Sequence, residues 1–188
     1  MEYKQDWKSL QDDIRNQIEE GLSKREAYQR YREHGEDKDI RLFLATLPNL
    51  EARQRFIFHN KTLVWLWCFI VFFETLGVII EVIETSNILK LLSLAIPVLI
   101  LIGLTKFNGM VYLPGILYGI WNLFGSLREL THYTNEDWND PYIVTLVIVY
   151  LITVIISILL LRSIRKNVFG YYNWFYPHKD NRGNYLFA

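Results

Sequence analysis

Apolar residues fill positions 62–161 almost without interruption, with polar breaks only at 85–87, 105–108 and 128–141. Runs of about 20 apolar residues match the ~30 Å hydrocarbon core of a bilayer. The pattern predicts four spanning helices, Thr62–Ile83, Ile88–Leu104, Gly109–Leu127 and Tyr142–Leu161. The fold class is therefore all-α, a polytopic membrane protein: a four-transmembrane-helix bundle behind a small cytoplasmic N-terminal helical domain. The second run is short for a 30 Å core, so it is expected to lean on Thr105 and on local thinning of the bilayer. Pro97 frees the carbonyl of Ser93 and predicts a kink in that span.

Residues 1–61 follow a different pattern. Trp7, Leu10, Ile14 and Ile18 recur at helical spacing, and Gly21 is a plausible stop. Ser23 and Glu26 form a capping box that starts a second helix, with Ala27, Tyr28 and Tyr31 on its apolar face and Gly35 at its end. Ile40, Phe43, Leu44 and Leu47 mark a third helix around Asp39–Leu47. After Pro48 and Asn49, Leu50–Asn60 is expected to run on as helix into the first span. A core of this size is thin on its own, so the front needs the membrane face, the tail or another copy. The organisation is thus 1–61 as a front domain, 62–161 as the membrane bundle and 162–188 as a basic, aromatic tail. Phe169, Tyr171, Tyr172, Trp174, Phe175 and Tyr176 in that tail are expected to anchor at the headgroup layer or to cover the front domain.

Charge orients the spans. The front holds 24 of the 40 Asp, Glu, Lys and Arg residues, twelve of each sign. With both termini in the cytoplasm, eighteen Lys and Arg face inward and only Lys90 and Arg128 face outward, as the positive-inside rule requires. The expected location is a bacterial inner membrane or a plasma membrane. Short helices with glycine turns have a helix-turn-helix outline, but the balanced charge lacks the basic surplus of a nucleic-acid surface. Trp65, Trp67, Tyr112, Trp138 and Tyr142 fall at predicted interfaces. The single Cys68 permits no internal disulfide. His34, His59, His132 and His178 are scattered, with no metal-ligand spacing, nucleophile motif or phosphate loop. No enzyme and no cofactor is expected. His132 with Glu136 and Asp137 could hold a cation in the external loop, although a solvated loop is the commoner arrangement.

Glu74 is the candidate with most chemistry. It lies about 18 Å along the first span, near the midplane, where an ionised carboxylate costs about 2.5–3.5 kcal/mol and is functional by default. Glu81 falls seven residues on, on nearly the same face, and Gly77 beside that stripe would admit a neighbouring helix. The alternative is a protonated Glu74 hydrogen-bonded to another span. Tyr112, Gly115, Gly119, Asn122 and Ser126 form one stripe of the third span, with Asn122 a candidate partner for Glu74 or for its counterpart in a second copy. Gly115 and Gly119 make a small-xxx-small pair that allows close packing, within the chain or between copies. Tyr150, Thr153 and Ser157 read as polar glue on the fourth span.

Glu74 with Gly77, and Pro114, Gly115, Ile116, Tyr118, Trp121 and Gly125, resemble two motifs of the small multidrug resistance transporters. The resemblance implies proton-coupled export of aromatic cations, with Glu74 binding proton or substrate and Tyr118 and Trp121 lining the site. The 61-residue front, the 14-residue external loop and the tail depart from that family's pattern. From the residues alone, two readings lead. The first is a membrane scaffold or subunit that homo-oligomerises through its spans and recruits a protein partner through 1–61 and 162–188. The second is a homo-oligomeric channel for ions or protons, such as a membrane-depolarising effector, with Glu74 in its path.

Overall fold

The computed structural model describes residues 6–130 and 141–187. Three short helices come first: α1 (Trp7–Glu19), α2 (Lys24–Tyr31) and α3 (Asp37–Thr46). Four helices long and apolar enough to cross a membrane follow. They comprise α4 (Leu50–Thr85), a 3-10 segment (Ile88–Leu94) running into α5 (Ala95–Thr105), a 3-10 turn (Gly109–Val111) running into α6 (Tyr112–Leu130), and α7 (Pro141–Val168). Among the described residues no strand forms, only isolated bridges between Tyr172 and Pro177 and between Lys179 and Tyr185.

Leu10, Ile14, Ile18, Ala27, Tyr31, Ile40, Phe43, Leu44 and Leu47 close the front core. The Ser23 hydroxyl accepts from the Glu26 amide at 3.2 Å while Glu26 accepts from the Ser23 amide at 3.0 Å, so the capping box is complete. Gly21, at φ +116, makes the turn between α1 and α2, a conformation that costs glycine little.

α4 runs unbroken through the predicted boundary at residue 61. α5 and α7 each pack against both α4 and α6, which closes the four into a ring. The second span needs no thinning. Seven residues of 3-10 helix rise about 2.0 Å each, so with the eleven of α5 the segment reaches about 30 Å. Nor does Pro97 bend the middle of a helix. It sits in the first turn of α5, where N–H groups have no intrahelical partner, and the irregularity moves upstream into the 3-10 stretch.

Two expected interface rings are core instead. Trp67 is fully buried, and its indole N–H donates to the Pro97 carbonyl at 3.0 Å. Tyr112, also fully buried, donates to Asn60 Oδ1 at 2.7 Å, and Asn60 Nδ2 donates to the Leu104 carbonyl at 2.9 Å. That carbonyl, in the last turn of α5, also accepts the Phe107 amide at 3.0 Å. Asn60→Leu would strand the buried Tyr112 hydroxyl at about 1–3 kcal/mol, so its melting temperature is expected to fall by a few degrees; an unchanged melt would refute the bridge. Trp65 and Tyr142 stay exposed. Trp138 lies outside the described residues.

The tail folds back on the front. Tyr171 donates to the Ala45 carbonyl at 2.7 Å, and Lys24 Nζ donates to Tyr171 Oη and to the Phe187 carbonyl, both at 2.9 Å. Phe187 stacks near Tyr28. Phe169 and Tyr172 enter the core beside Phe107 and Tyr112.

Candidate functional site

Glu74 emerges from α4 half-buried, and three neutral donors from two other helices converge on it. Tyr118 Oη donates to Oε2 at 2.6 Å, the Asn122 amide donates to Oε1, and Tyr150 Oη lies 3.5 Å from Oε1. Asn122 Nδ2 also reaches Tyr150 Oη at 3.1 Å, so α4, α6 and α7 meet at one carboxyl. Tyr118 and Asn122 share a face because they stand four residues apart. Sequence patterning paired Asn122 with Glu74; it took Tyr118 only from the family resemblance and read Tyr150 as glue. Donors alone surround this acceptor, and among the described ion pairs none involves Glu74.

The carboxyl faces an open cavity of about 1010 Å³, in the half of the helices nearer Thr85 and Leu130. Glu81, Glu84, Ser126 and Gly77 also line it. Glu81 pairs with Lys90 at the rim, which leaves Glu74 and Glu84 as its unpaired acids among the described residues. Trp121 contributes an edge only, being 77% exposed. Beyond Glu74, towards Asn60, the space closes on Trp67, Ile70, Ile100, Leu104, Val154 and Leu161, all buried. The cavity is a vestibule with a floor.

The glycines divide. A Cβ on Gly77 would meet nothing within 4 Å, so no helix approaches there. Gly115 lies against Leu161 and Ile100, and Gly119 against Ile158. The small-residue face is therefore packed against α7 and α5 of the same chain. His132, Glu136 and Asp137 lie outside the described residues.

Comparison with family models, curated proteins and solved structures finds no match. The likeness to small multidrug resistance transporters rests on the short stretches 74–77 and 114–125 alone.

Proposed function

We propose that this chain is an integral membrane protein whose four spans form a bundle with both termini cytoplasmic, and that it admits a proton or monovalent cation to Glu74 from the outer side as a step in passage across a bacterial inner membrane or plasma membrane. One observation carries the reading. A membrane-embedded carboxyl, held by three neutral donors and no cation, faces an open vestibule. Pure anchoring has no use for such a group, whose burial is costly. Passage requires the Trp67–Ile100 floor to part. The exposed, apolar Phe72 and Leu99, which lie off the vestibule, would face lipid.

The test is proton and cation flux through liposomes holding the purified full-length protein, wild type beside Glu74→Gln. Flux above empty vesicles, lowered at least about tenfold by the substitution (about 1.4 kcal/mol), is expected. Equal flux from both proteins would remove Glu74 from the path. No flux from either, with the fold intact, would overturn the passage reading.

A second reading draws on the tail. Arg165 Nη2 donates to the carbonyls of Asn173 and Trp174, which holds up a tip where Trp174, Phe175 and Tyr176 stay exposed. These rings suit a protein partner, with the spans homo-oligomerising as a scaffold beneath. No nucleic acid enters either reading.

A further inference from the structure

A second polar constellation lies at the end of the helices opposite the vestibule. Arg15 of α1, Arg53 of α4 and Lys106, in the link after α5, line one small cleft with Phe107, and Glu19 is the acid that lines it. Three cations from three segments thus meet one carboxylate. Arg53 Nη1 spends its charge on Glu19 at 2.6 Å. Arg15 reaches Asp12 only through Nη1, at 3.4 Å, while its Nε is buried without a hydrogen-bond partner. Lys106 is exposed and joins no ion pair among the described residues. Arg15, held to Asp12 only at 3.4 Å, and Lys106, in no ion pair among the described residues, thus bring two positive charges to one cleft. The single Glu19, already paired with Arg53, does not balance them, and an anionic oxygen answers them.

Size and level narrow the ligand. The cleft holds about 10 Å³, close to the volume that admits one water-sized group. It can take one oxygen of a larger anion whose remainder stays outside. Lys106 directly follows Thr105, where the second span ends, so the cleft lies at headgroup level. Ile57, one turn beyond Arg53 on the same face of α4, is exposed and apolar, which suits an acyl chain. Basic pockets between spans take anionic headgroups on the cytoplasmic side, and arginine binds phosphate through paired N–H groups.

We infer that Arg15, Arg53 and Lys106 seat a phosphate oxygen of an anionic phospholipid in the leaflet next to the front helices. The inference rests on the spans crossing a bilayer and is independent of what Glu74 binds. A soluble phosphate presents the same oxygens, so the test separates the two sources. Native mass spectrometry of the full-length protein would compare retention of phosphatidylglycerol with phosphatidylcholine of identical chains. Wild type is expected to retain phosphatidylglycerol preferentially, Lys106→Gln to hold it about tenfold more weakly (about 1.4 kcal/mol), and Lys106→Arg to restore it. Lys106 is exposed, so all three proteins should melt alike, and Glu74-dependent flux should be unchanged. Equal retention of the two lipids, or no effect of Lys106→Gln, would overturn the site. Displacement of phosphatidylglycerol by millimolar inorganic phosphate would overturn the lipid as occupant, whereas persistence of the lipid supports it.

Discussion

Raising the pH from 7 to 10 is expected to raise the melting temperature of the wild-type protein and to leave that of Lys24→Met nearly flat. Lys24 is 3% exposed and joins no ion pair among the described residues; burial pushes its ammonium down to about 7 from the usual 10.5. The unfolded chain then holds a proton that the folded chain lacks between pH 7 and 10.5. Stability therefore rises with pH across that window and is flat below it. At 1.36 kcal/mol per pH unit, the gain is on the order of 4 kcal/mol by pH 10. The geometry suits the neutral amine, whose two N–H groups match its two acceptors, Tyr171 Oη and the Phe187 carbonyl. Burial raises the Tyr171 and Tyr172 hydroxyls, so they oppose the trend only as the pH approaches 10, where the unfolded tyrosines begin to ionise, and the rise between pH 7 and 9 belongs to Lys24. Met preserves the stem but leaves the Phe187 carbonyl unmet, so the variant starts lower by about 1–3 kcal/mol while losing the slope. Thermal melts of both proteins at pH 7, 8.5 and 10 decide the matter; parallel profiles would clear Lys24 of any part in it.

Gly119→Leu is expected to damage stability and the Glu74 site together. Even a Cβ there would stand 2.8 Å from Ile158 Cγ1, closer than packed carbons tolerate. Overpacking a tight interface costs about 1–3 kcal/mol, and the rest of a leucine must force α6 off α7. Those helices carry Tyr118, Asn122 and Tyr150, so the donors around Glu74 separate as the interface opens. A large drop in melting temperature with lost flux is the expected pair of results. Gly77→Ala is the control: its Cβ enters open space, and alanine gains helix propensity. If Gly119→Leu melts like Gly77→Ala, the α6–α7 packing described above is wrong.

Much of this architecture is written in the chain because two simple rules act locally. Length and apolarity locate spanning helices, and the Ser23–Glu26 spacing locates a cap. Other features depend on what stands opposite, which a single sequence does not display. Trp67 and Tyr112 have the composition of interface rings, yet each has a polar partner inside the core, on Pro97 and Asn60 respectively. Ile88–Leu94 has ordinary helical residues, and nothing in them signals the longer rise of a 3-10 segment. At the candidate site, Glu74 was legible because a midplane carboxyl is rare. Asn122 was legible as a polar residue on a small-residue stripe. Tyr150 was not placed beside them, since its role depends on the angle at which α7 crosses. The Lys24 latch could not be seen at all, because its partners lie 147 and 163 residues away.

The unbroken course of α4 has a mechanical consequence. Its 36 residues make a rod of about 54 Å, with Arg53 paired to Glu19 of the front at one end and Glu81 paired to Lys90 at the other. From Arg53 to Glu74 the rod holds no glycine or proline, Gly77 coming only beyond the carboxyl, so that stretch absorbs little torsion. Any twist imposed on the front helices, or on the tail latched to them, turns the Glu74 side of the vestibule by the same angle. The front and the cavity thus behave as the two ends of one crankshaft.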